Sequence, residues 1–114
     1  MITDEEYQVD RYVICVGLND CVTDEQTFET EKYIKIIEYV CKNNDIAFSL
    51  EIMRGGYVYT NGTFARENSL GITLINASKE QADMVGEELC ALFNQESVLI
   101  LHDKVGAHYI GSKL

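Results

Sequence analysis

The sequence predicts an α+β domain: a four-stranded antiparallel sheet with two helices on one face. Three observations predict it. The regular segments run strand, helix, strand, strand, helix, strand along the 114 residues. Both helical segments carry one apolar stripe at helical spacing. The two middle strands alternate in polarity and are joined by a glycine-rich aromatic hairpin, "RGGYVYTNGTF". Together these give the ferredoxin-like βαββαβ layout, with the first and third strands central and the second and fourth at the edges.

Residues 1–9 read as a loose acidic lead-in, 10–102 as the domain and 103–114 as a tail. "RYVICVGL" (11–18) is a β-rich run ended by Gly17 and the "NDCVTDE" loop, as a central strand covered on both faces would be. In 27–45, Tyr33, Ile36, Ile37, Val40 and Cys41 fall on one helix face, with Thr27 or Thr30 as N-cap. "IAFSLEIM" (46–53) and "SLGITLIN" (69–76) alternate as half-buried strands. In 78–95, Ser78 and Gln81 form a capping box, and Ala82, Val85, Leu89, Leu92 and Phe93 make the buried stripe. "ESVLILH" (96–102) is the last strand.

The hairpin poses a register problem. A two-residue type I′ turn at Asn61-Gly62 pairs Tyr59 with Phe64 and Tyr57 with Arg66. Carried down the strands, that register turns Leu50 and Ile52 away from the face holding Ile72 and Leu74. One extra residue repairs it. Gly55-Gly56 is the predicted β-bulge, with Glu67-Asn68 the other candidate. The tip then projects as a bent arm with Tyr57, Tyr59, Phe64 and Arg66 on one face. These residues suit stacking on a base or packing on a protein. Arg54 and the N–H groups of Gly55 and Gly56 add anion-binding capacity, and Glu67 pairs with Arg54 or accepts from the bulge.

Charge and motifs narrow the function. With 19 acids against 9 bases, the net charge is −10. No Lys/Arg cluster exists to release counterions, so direct nucleic-acid binding is not expected. No run approaches membrane-spanning length. The four cysteines form no C-x-x-C pair and sit mostly in apolar patterns, which points to a reducing cytoplasm. Neither a metal nor a cofactor is expected, since His102 and His108 lack Cys partners at ligand spacing. No phosphate-binding glycine loop, nucleophile elbow or H-E-x-x-H occurs. Adjacent His102 and Asp103 lie on opposite strand faces. Asn19 and Asp20 shape a turn, and "FNQES" (93–97) caps backbone groups.

The segments "RYVICVGLND", "MRGGYVYTNGTFARENSLGITLI" and "ALFNQESVLI" resemble a small uncharacterised family of single-domain proteins from Gram-positive gut bacteria and their phages. The resemblance spans about residues 11–101. It implies the same fold and a bacterial or phage origin, and supplies no catalytic residue. The expectation is a small acidic homo-oligomer, a dimer, that binds and is not an enzyme. Its role would be a phage-type counter-defence inhibitor blocking a basic partner protein of host immunity. The alternatives are a sponge for a nucleotide signal, using the hairpin at a subunit boundary, and a small enzyme.

Overall fold

A computed structural model describes residues 6–58 and 61–111, apart from the side chain of Tyr57. The elements are β1 (Tyr7–Gly17), α1 (Thr30–Asn43), β2 (Ser49–Val58), β3 (Phe64–Ile75), α2 (Lys79–Leu92) and β4 (Leu99–Ala107). The sheet order is β2-β3-β1-β4, and all three pairings are antiparallel. This is the ferredoxin-like arrangement, with β1 and β3 in the middle.

Alternation in β1 sets the two faces. Tyr12, Ile14 and Val16 are buried, and their β3 partners Leu74, Ile72 and Leu70 are buried with them. Tyr33, Ile37, Val40 and Cys41 of α1 and Ala82, Val85 and Leu89 of α2 close over that face. Each fully buried branched aliphatic contributes about 1.5–3 kcal/mol, so this single layer carries most of the stability. No helix among the described residues covers the opposite face. There Leu99, Leu101 and Ile75 remain 59 %, 51 % and 48 % exposed.

The helix starts differ from each other. Ser78 and Gln81 make the reciprocal capping box: Gln81 N–H donates to Ser78 Oγ at 3.1 Å and Ser78 N–H to Gln81 Oε1 at 2.9 Å. At α1 the N-cap is Glu29, with no side-chain cap bond, so neither threonine caps. Gln26 Nε2 donates to the Thr30 hydroxyl at 3.0 Å instead.

The first and last strands run further than their own patterns suggest. β1 starts at Tyr7 and β4 reaches Ala107, because the two ends pair with each other: Tyr7 with Ala107 and Val9 with Val105. Part of the acidic lead-in and part of the tail are therefore sheet.

The hairpin corrects the bulge expectation. β2 and β3 pair without interruption from Ser49↔Thr73 to Val58↔Phe64. No bulge occurs at Gly55-Gly56 or at Glu67-Asn68. Ile52 does oppose Leu70, and Leu50 opposes Ile72, as the apolar pattern requires. The extra residue sits in the connection 59–63, which is longer than a type I′ turn. Moving it there shifts the register without breaking a ladder hydrogen bond. At its end Gly62 has φ +87°, and Asn61 Oδ1 accepts from Thr63 N–H at 3.0 Å.

Candidate functional site

The new register redistributes the arm. Phe64 and Arg66 oppose Val58 and Gly56, so they share the face of Arg54, on the helix side of the sheet. Tyr57 pairs with Ala65 and not with Arg66, so the pairing from which the four-residue face of the tip was predicted is not the one present. Tyr59 lies outside the described residues. Gly56 has a steric role: a Cβ there would stand 2.4 Å from Phe64 Cζ, so the ring lies over the glycine. Gly55 has open space around its Cα.

Glu67 falls on the other, uncovered face, and a site builds around it. β1 ends at Gly17 opposite Ser69, while β3 continues to Phe64. Beyond Gly17 the β1-side edge of β3 has no strand beside it. The chain after β1 turns into that gap. Leu18 N–H donates to Asn68 O at 3.0 Å, and Asn19 Nδ2 reaches Arg66 O at 3.4 Å. Asn19 N–H donates to Glu67 Oε2 at 3.1 Å. The Glu67 carboxylate lies over Gly17, where a Cβ would be only 2.5 Å from Oε1. Gly17 is thus the floor on which the carboxylate rests. The partner expected for Glu67, Arg54, is not the one it has.

A third segment braces the loop. Gln95 Nε2 donates to Asn19 O at 2.6 Å, Asn94 Nδ2 to Asp20 Oδ2 at 2.9 Å, and Cys21 N–H to Asn94 O at 3.0 Å. Asp20 Oδ1 also accepts from Val22 N–H at 2.8 Å. The Asn94 amide and then the Val22 N–H hold the Asp20 carboxyl below its ordinary range. On the other side, Asn68 Nδ2 donates to Gln26 Oε1 at 3.0 Å, next to the Asn19↔Gln26 bridge.

Two open grooves meet at Glu67. One, of about 620 Å³, is bordered by Cys15, Gly17, Asn19, Gln95 and Leu99 as well as Glu67. The other, of about 420 Å³, is bordered by Gln26, Arg54, Arg66 and Asn68 as well as Glu67. Arg54 and Arg66 have no ion pair among the described residues. Burial pushes the Cys15 thiol above its ordinary value, so it stays protonated and is a poor nucleophile. Among the described residues no cluster of His, Cys, Asp and Glu could hold a metal ion, and no helix is long and apolar enough to cross a membrane.

His102 and Asp103 point to opposite faces, as the strand geometry requires. His102 Nε2 lies 2.9 Å from Asp10 Oδ1, and its ring stacks on Tyr12 at 4.3 Å. Asp103 takes both its bonds from Arg11, at 3.0 and 2.7 Å, which holds its carboxyl below the ordinary range. Both belong to the far end of β1 from Glu67.

No family model and no curated protein matches the chain. Solved structures do. A phage SAM lyase in complex with S-methyl-5′-thioadenosine is 29 % identical over 89 % of this chain and 90 % of that one, with a TM-score of 0.66. This chain resembles an enzyme. The apo state of a phage SAM lyase is 28 % identical over 91 % of this chain and 92 % of that one, again at a TM-score of 0.66. CutA from Synechococcus elongatus, 14 % identical over 94 % of this chain and 83 % of that one at a TM-score of 0.58, supports the fold alone. The likeness to the lyase overturns the expectation of a protein that binds without catalysing. Glu67 was expected at the base of the hairpin, among the binding residues and as a partner of Arg54 or of the bulge, Gly17 as a strand end, Asn19 as a turn residue and Gln95 as a capping residue. What brings Glu67 and Gln95 to Asn19 is a pair of contacts between residues dozens of positions apart, which no local spacing announces.

Proposed function

We propose that this chain cleaves S-adenosylmethionine (SAM) in the groove beside Glu67 and releases S-methyl-5′-thioadenosine. The likeness to phage SAM lyase over nine-tenths of both chains carries the reading. The anchored carboxylate at the meeting of two grooves supports it.

The chemistry suits so sparse a site. S-Methyl-5′-thioadenosine keeps both the methyl and the adenosyl group on sulfur, so the bond that breaks joins sulfur to Cγ of the methionine part. A lyase uses no water. The substrate's own carboxylate attacks Cγ and closes a lactone, while the S–Cγ electron pair returns to sulfur. Sulfonium and carboxylate are both neutralised, so a shielded, weakly polar pocket favours the step. Nucleophile and leaving group both come from the substrate. The protein's task is to hold them in line, which is worth several orders of magnitude without a protein nucleophile. Glu67 offers its charge to the cationic end of the substrate. The Arg54 and Arg66 guanidiniums, which border the second groove, give flat surfaces for the adenine. The net charge of −10 draws in a substrate whose net charge is positive.

Both grooves are open, and the exposed Leu99, Leu101 and Ile75 face supports closure by a second copy, placing the site at a subunit boundary. In an infected cell such an enzyme works in the cytoplasm and removes the methyl donor on which host methylation-dependent defences draw. This is the counter-defence role expected from the sequence, reached by depletion of a metabolite instead of occlusion of a partner.

The test is incubation of the purified chain with SAM and chromatographic detection of S-methyl-5′-thioadenosine. Release well above the protein-free rate, falling steeply but to a still measurable level in Glu67→Gln, is expected. Release no faster than without protein overturns the proposal.

A further inference from the structure

The connector between α2 and β4 has a job that its local sequence hides. Gln95 lies in chain more than seventy residues from Asn19, yet its side-chain amide makes the shortest of the three bonds that grip that residue: Nε2 to Asn19 O at 2.6 Å, against 3.1 Å to Glu67 and 3.4 Å to Arg66 O. On the other side of Asn19 is Glu67, held through the preceding peptide's N–H at 3.1 Å. Asn19 is therefore fixed from both ends, by Gln95 on its carbonyl and by the Glu67 carboxylate on its amide. The side-chain amide of Gln95 is itself oriented, since Nε2 also donates to Phe93 O at 3.3 Å, and the residue's backbone carbonyl is held separately, accepting from Cys90 Sγ at 3.2 Å. Asn94, in the left-handed region at φ 51°, turns the chain so that two consecutive side chains reach the same loop. Gln95 and Glu67 border the same groove.

We propose that Gln95 is a positioning residue of the reaction, acting through Asn19 to set where the Glu67 carboxylate stands. This rests on the lyase reading for its kinetic arm but not for its structural one. Removing the donor frees the Asn19 carbonyl and lets the Asn19 N–H drift from Glu67.

The test compares Gln95→Met, which keeps size and loses the donor, with Gln95→Asn, which keeps the amide one methylene short. Two readouts are followed in the full chain. The Asn19 backbone amide proton resonance should move in both variants towards its position in Glu67→Gln. The kcat for SAM cleavage should fall about tenfold with KM within about twofold, the mark of lost positioning. In a Glu67→Gln background, Gln95→Met should change kcat less than about twofold, since both act on one device. An unmoved Asn19 resonance with wild-type kcat overturns the proposal. So does an equal loss of kcat in both backgrounds, which would show a merely structural contribution. If the wild-type chain cleaves no SAM, the lyase reading fails separately, and the Asn19 resonance alone decides the role of Gln95. Should one variant fail to fold, the other carries the test.

Discussion

Gly17→Ala should disable the site while leaving the fold intact. The added Cβ would stand 2.5 Å from Glu67 Oε1, against an ordinary contact of at least 3.4 Å. The carboxylate must retreat by about 0.9 Å, because it is a flexible end and the backbone beneath it is not. The Asn19 N–H bond, 3.1 Å long, then stretches to about 4 Å and is lost. A hydrogen bond to a half-exposed carboxylate is worth about 1 kcal/mol, and replacing glycine in a strand returns about 0.5–1 kcal/mol. Stability should hardly change, with Tm within about 4 °C of wild type by calorimetry. A substrate-positioning group misplaced by about 1 Å costs on the order of 100-fold, so kcat/KM for SAM should fall by about that factor. In a Glu67→Ala background the clash is gone, and Gly17→Ala should there be neutral or stabilising. Wild-type kcat/KM in Gly17→Ala would refute the claim that Gly17 is kept bare for the carboxylate.

Other outcomes follow from the same geometry. Gly55→Ala, with open space at its Cβ position, should leave the urea midpoint unchanged or slightly higher, whereas Gly56→Ala must displace the Phe64 ring and lower it. Equal effects would show that the ring does not lie over Gly56. Asp20 and Asp103 both have carboxyl pKa values lowered from 3.8 in the folded chain. They therefore contribute stability that is complete above about pH 4 and lost as pH falls through their lowered values. Urea unfolding followed against pH should show a shallower acid limb in Asp20→Asn and Asp103→Asn; identical limbs would count against both contacts. Arg54→Gln together with Arg66→Gln should raise KM for SAM several-fold with little loss of stability, since neither arginine is ion-paired among the described residues. An unchanged KM would remove the arm from the substrate site.

Much of the fold is legible along the chain because its causes are local or periodic. The two helical stripes, the Ser78–Gln81 capping box and the in-phase Leu50, Ile52, Ile72 and Leu74 each announce an element from its own residues. The apolar phase even determines that Leu50 opposes Ile72, since one face must be buried. How the chain absorbs the odd residue is not so determined. A bulge at the glycines and a longer loop satisfy the same phase, and the ladder's unbroken hydrogen bonding decides for the loop. The true ends of β1 and β4 are equally hidden, because Tyr7 and Ala107 become sheet only by finding each other. The site is the extreme case. Gly17 with Asn19, Glu67 and Gln95 belong to three separate stretches of chain, and no local spacing links them. Composition and periodicity sufficed for an acidic sheet with helices on one side. Only the tertiary structure, by ending β1 early and folding the next loop against β3, brings one carboxylate into a groove and gives the other three residues a reason to be there.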